Sequence, residues 1–164
     1  MLLESDLKAD PTLSDETVVL PAPVRNPSWP QPGGRPSHSM QHLAVGDNLD
    51  RAWRVSIGAG SDDRTSLLAV PLVADGRIHV MDADGVVSTL AEEGGRRLWR
   101  AETQPADEDD RAVFVGGMTT GDGRLFVITG YGEAIAFEDD DDTHAFSATM
   151  AASDPGVVTA TSSK

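Results

Sequence analysis

Four histidines, a run of aspartates and three tryptophans are the residues of this chain whose types could do chemistry. His38 and His42 stand four apart, the spacing that puts two imidazoles on one helix face as a metal pair. The surrounding Gly33, Gly34 and Pro36 argue against a helix, and no third ligand is close. His79 lies in a strand-like segment whose second copy carries Phe126, so it is expected to be packed; His144 is the fourth. Asp139 to Asp142 invite a calcium reading. A calcium loop needs spaced oxygen ligands, a turn glycine and a terminal bidentate Glu, whereas contiguous aspartates splay and repel. Gly121, Gly130 and Gly132 make no phosphate cradle, because no helix follows to supply its positive end. Ser66 and Ser88 are strand residues, with no Ser/His/Asp order or paired carboxylates to activate them. No catalytic, cofactor-binding or metal-binding residue is therefore expected.

Trp53 and Trp99 can be read as cofactor-stacking or as docking residues. A catalytic or stacking residue is needed once, and these two belong to a repeat. Ala52-Trp53-Arg54 returns as Leu98-Trp99-Arg100, an offset of 46. Asp75-Gly76-Arg77-Ile78-His79-Val80 returns as Asp122-Gly123-Arg124-Leu125-Phe126-Val127, an offset of 47, and Gly85 meets Gly132. A period in the mid-forties with strand patterning and a recurrent Trp is the mark of β-propeller blades. Trp53 and Trp99 are then blade-docking residues that fill the wedge between neighbouring sheets. Gly76, Gly85, Gly123 and Gly132 are the turn residues that the strands between them require.

The chain has 164 residues, and only two repeats are visible. A propeller of four or more blades needs about 160–180 residues in blades alone, so the expectation is a piece of a larger protein. The 27 acidic against 13 basic residues disfavour nucleic acid and anionic membrane as partners. The absence of cysteine excludes disulfides, thiolate zinc sites and thiol nucleophiles. No run of apolar residues is long enough for a membrane helix, and Glu4 and Asp6 follow Met1-Leu2-Leu3 too closely for a secretory signal.

Five regions are expected. Residues 1–45 are a Pro-rich strap holding seven of the ten prolines. In it Val18-Val19-Leu20 could pair with an edge, and Trp29 would dock on a core. Residues 46–63 contain the alternating strand Ala52 to Ile57, which belongs to a ring-closing blade, and a loop. Residues 64–104 are the first blade, with strands Leu67 to Val73, Arg77 to Met81, Val86 to Ala91 and Arg96 to Glu102. Residues 105–149 are the second, with strands Val113 to Thr119, Arg124 to Thr129 and Glu133 to Glu138. Its fourth strand is missing or degraded after Glu138, with Thr143 to Thr149 as a weak candidate. Residues 150–164, small and polar, read as a disordered tail. The fold class is thus all-β: a partial propeller of two four-stranded antiparallel blades plus one extra strand.

Val87 to Trp99 resembles the blade motif of pyrroloquinoline-quinone-type (PQQ-like) propellers, roughly Ala-Leu-Asp-Ala-x-Thr-Gly-x-x-x-Trp. Thr89, Leu90, Gly95 and Trp99 fall at its Ala, Leu, Gly and Trp; Ala91 and Gly94 replace its Asp and Thr. Trp29-Pro30-Gln31-Pro32-Gly33-Gly34, with Ser37-His38, is similar to the stretch that introduces the first blade. Over about residues 7–138 the chain resembles the N-terminal third of the BamB family of outer-membrane assembly lipoproteins. The resemblance implies a non-enzymatic periplasmic scaffold of eight blades without cofactor. It would hold BamA and guide unfolded outer-membrane proteins, and no partner-binding residue is carried over. The family's signal peptide and lipidated Cys are not in this chain, and a truncated or shifted reading frame would explain the loss of pattern after Glu138. The alternative is the N-terminal propeller part of a PQQ-dependent dehydrogenase, whose axial calcium and adjacent cysteines have no counterpart here. Two blades with open edges and faces should be marginally stable and prone to associate.

Overall fold

A computed structural model describes residues 10–13, 17–63, 66–105 and 116–140, and the backbone of residues 144–154 and 157–163. The chain builds two antiparallel sheets. The first runs β1 (Leu72–Ala74), β2 (Arg77–Met81), β3 (Val86–Ala91) and β4 (Arg97–Glu102) in sequence order. The second runs β5 (Met118–Gly121), β6 (Arg124–Ile128), β7 (Glu133–Glu138), β8 (His144–Asp154) and β9 (Val157–Ser163). Each is a meander, the form of a propeller blade, and the two pack face to face.

The hairpins repeat because their turn residues repeat. Asp75-Gly76 and Asp122-Gly123 have φ of 49°, 73°, 52° and 71°. Two consecutive positive φ values make the type I′ connection whose twist suits a two-residue hairpin, and Asp-Gly tolerates them. At the next turn Asp82 accepts from the amides of Asp84 and Val86, and Thr129 accepts from those of Tyr131 and Glu133. Gly85 and Gly132 complete these turns with φ of 77° and 79°. Even the irregularities match: the register shifts between Thr89 and Leu90, and again between Ala136 and Phe137.

The core lies between the sheets. Leu72, Met81, Val87 and Trp99 of the first meet Met118, Leu125, Val127, Ile135 and Phe137 of the second, all buried. Alternation along each strand sends these side chains to one face, and burial of each large one stabilises by about 1.5–3 kcal/mol.

Four expectations are corrected. Ala52 to Ile57 is extended but joins no ladder among the described residues; it lies along the first sheet instead, where Ala83 donates to the carbonyl of Ala59. The first inner strand is Leu72–Ala74 and not Leu67 to Val73, because Pro71 has no amide to give a ladder. A fourth strand does complete the second sheet: β8 places Phe146 opposite Ala136, as β4 places Trp99 opposite Thr89. Within the supposed tail, β8 continues to Asp154 and Val157–Ser163 pairs along it as β9. Val113 to Val115 and Asp141-Asp142 lie outside the described residues.

Candidate functional site

The junction between the sheets gathers Trp99 of β4, Arg77 and His79 of β2, and Phe137 and Asp139 at the end of β7. Trp99, on β4, reaches across so that its indole Nε1 donates to the main-chain carbonyl of Asp139 at 3.3 Å. Its ring packs against Phe137 of β7, with centroids 5.5 Å apart. Trp53, in the extended segment, donates to the carbonyl of Glu92 at 3.0 Å. Its ring lies over Gly95 so closely that a methyl group there would meet Trp53 Cε3 at 2.6 Å. Glu92 and Asp139 each follow the third strand of their sheet, 47 residues apart. The two tryptophans therefore make one contact, used twice.

Among the described residues, the second of these contacts also carries an ion pair. Asp139 Oδ2 pairs with Arg77 Nη1 at 2.6 Å, and Asp139 Oδ1 lies 3.0 Å from Nε2 of His79. His79 is fully buried on β2, with Nδ1 2.8 Å from the Thr89 hydroxyl and its ring tilted against Trp99 at 6.4 Å. Burial pushes the imidazole below its ordinary range, against the nearby Asp139 carboxylate that favours the charged form; Arg77 reinforces the lowering. The sequence marks this clasp only faintly, as two departures from the repeat: His79 in place of Phe126, and Asp139 in place of Glu92.

The strap crosses the inner edges. Trp29 exchanges two backbone hydrogen bonds with Val73 on β1, at 2.6 and 3.0 Å. The carbonyl of the next residue, Pro30, accepts from the amide of Thr120 on β5 at 2.8 Å and from the Thr119 and Thr120 hydroxyls. Val73 and Thr120 are equivalent positions whose amides face away from their hairpin partners. A cavity of about 220 Å³ opens beside this crossing, lined by Ser28, Pro30, Asp75, Asp122, Arg124 and Asp139 among others. The Trp29 ring covers Gly34. Val18, Val19 and Leu20, expected at an edge, are exposed and pair with nothing in the described ladders.

The remaining candidates stay apart. The His38 ring sits over Gly33, and Nδ1 of His42 meets the carbonyl of Pro21 at 2.8 Å; no helix joins them. Among the described residues no group of three or more His, Cys, Asp or Glu could hold a metal ion. Asp139 is committed to Arg77, and Gly121, Gly130 and Gly132 sit at hairpin turns. Ser88 is buried in β3. None of the described helices is long and apolar enough to cross a membrane. What the arrangement does chemically is hold one sheet against the next.

The profile of the family described as outer membrane protein assembly factor BamB matches residues 50–111 and 83–160. The chain is 34% identical over 71 residues to outer membrane protein assembly factor BamB of Alkalilimnicola ehrlichii, covering 43% of this chain and 18% of the relative. It is 28% identical over 98 residues to the protein of the same name from Xanthomonas campestris pv. campestris, covering 58% and 24%. The chain thus spans about a fifth of the length of these curated relatives. Among solved structures, quinohemoprotein alcohol dehydrogenase from Comamonas testosteroni superposes with a TM-score of 0.58. That match covers 76% of this chain and 19% of the other at 19% identity, a likeness of propeller fold.

Proposed function

The chain belongs to the family of outer membrane protein assembly factor BamB, and from that premise we propose that it is a non-catalytic scaffold piece. It acts by protein–protein contact on the periplasmic side of the outer membrane. Its partners are BamA and other assembly components, with unfolded outer-membrane proteins pairing at exposed sheet edges. The observation that carries this reading is the use made of the conspicuous side chains. Trp53, Trp99, Arg77 and Asp139 are all spent on joining one segment or sheet to the next, which is how a ring of blades becomes a rigid platform. In this reading the extended segment of Trp53 stands where a ring-closing blade would, since it does for the first sheet what Trp99 does for the second.

The test is co-purification. A tagged form of the chain, and of any longer protein that carries it, should bring BamA down from detergent-solubilised outer membranes. Recovery of no assembly component from either bait would overturn the proposal. The rival reading, a propeller part of a PQQ-dependent dehydrogenase, shares the fold with the Comamonas enzyme. It would be favoured by dye reduction that depends on added quinone and calcium.

A further inference from the structure

We propose that Arg77, His79 and Asp139 form an acid-opened latch between the two sheets, shut while the His79 ring is neutral and loosened when that ring takes a second proton.

The geometry suits a neutral ring. With its proton on Nε2, the imidazole leaves Nδ1 free to accept from the Thr89 hydroxyl at 2.8 Å, while Nε2 and Asp139 Oδ1 lie 3.0 Å apart without a hydrogen bond between them. A second proton would turn Nδ1 into a donor, and the hydroxyl proton would lose its acceptor. Charge points the same way. Asp139 is already paired with Arg77 at 2.6 Å, so a protonated His79 would compete with the guanidinium for that carboxylate, its own ring being fully buried. The groups that bear on the ring are Asp139, after β7 of the second sheet, Arg77 on its own strand, and Asp75 in the hairpin turn. Thr89 and Trp99 face it from β3 and β4. Burial outweighs the two carboxylates, so the folded imidazole holds its second proton less tightly than the unfolded one.

The latch belongs to this junction alone among the described contacts between repeats. Its equivalent one repeat earlier keeps the tryptophan-to-carbonyl bond, from Trp53 to Glu92, and one repeat later Phe126 stands where the histidine does. It also sits where opening matters. The clasp closes over Trp99 and Phe137, so releasing it uncovers the apolar core between the sheets.

The sign follows from linkage. The unfolded chain, with a histidine pKa of about 6.5, binds more protons than the folded one between that value and the lower folded pKa. Stability is therefore full above about pH 6.5 and falls with acidification until the folded ring itself is charged.

The experiment uses the full chain. The His79 imidazole resonance, assigned by its loss in His79→Phe, is followed by NMR from pH 8 to 4.5, and Tm is measured over the same range. The expected result is a His79 midpoint below that of a free imidazole and a Tm that falls by about 3 °C per pH unit below pH 6.5. This slope should be reduced in His79→Phe and kept in His38→Gln. A His79 midpoint at or above the ordinary value, or an equal slope in His79→Phe, would overturn the latch. If His79→Phe does not fold, the titration of the unaltered chain decides, with each resonance assigned from the His38→Gln and His42→Gln variants and sequential experiments.

Discussion

Trp99 donates its indole N–H to the main-chain carbonyl of Asp139, and the side chain of that same Asp139 is gripped by Arg77 two strands away from the tryptophan. One residue of the second sheet is thus held by its backbone and by its carboxylate from two strands of the first. The apolar core between the sheets is closed at this end by that double hold.

Replacing Trp99 by Ala should destabilise the chain by about 3–5 kcal/mol, the range for large aromatic truncations in a packed core. The residue is buried against Phe137 and His79. Trp99→Phe keeps most of the area and should cost about half as much. Urea denaturation followed by circular dichroism measures both; equal costs would mean that the indole contact and not the packing dominates.

Two of the arginine pairs should behave unequally. Arg77 and Asp139 have side chains 28% and 10% exposed, and Arg124 and Glu138 43% and 39%. Arg77→Ala strands a largely buried carboxylate and should cost about 2 kcal/mol. Arg124→Ala removes a solvated pair and should cost under about 0.5 kcal/mol, less still in high salt. Thermal melts at two salt concentrations separate them; equal effects would contradict the burial argument.

Gly94 and Gly95 share positive φ values of 75° and 68°, so alanine strains the backbone at both by about 1 kcal/mol. Only at Gly95 would the added methyl strike the Trp53 ring. Gly95→Ala should therefore destabilise more than Gly94→Ala, and the excess should vanish in a Trp53→Ala background. A double-mutant cycle with no coupling would show that Trp53 does not rest there.

Deleting residues 17–36 should expose the amides of Val73 and Thr120, whose acceptors are the carbonyls of Trp29 and Pro30. Hydrogen exchange at these two should quicken by at least about tenfold while the amides inside the β2–β3 ladder change little. Unchanged protection at both amides would mean that the strap does not cover these edges in solution.

Much of this fold is legible in the sequence because the repeat fixes it locally. Asp75-Gly76 and Asp122-Gly123 dictate two hairpins through backbone geometry alone, and the tryptophan spacing announces the sheet-to-sheet contact. The strands β2, β3 and β7 are short, largely apolar stretches bounded by those turns. What escaped was set by partners far along the chain. The alternation of Ala52 to Ile57 reads as a strand, but a ladder needs a neighbour, and the segment is held instead through the Trp53 side chain on the carbonyl of Glu92. Residues 157–163 offer only small and β-branched residues, and β9 forms because β8 presents an unpaired edge, which composition does not encode. The clasp of His79 with Asp139 joins positions 60 apart; its only trace is that both depart from their repeat counterparts.

Trp29 and Pro30 are adjacent in sequence, yet one is bonded to the inner strand of the first sheet and the other to that of the second. A single peptide unit fixes the gap it bridges, since consecutive Cα atoms stand about 3.8 Å apart. The strap thereby works as a caliper: any opening of the angle between the blades at their inner ends must first break a bond to one of these two residues.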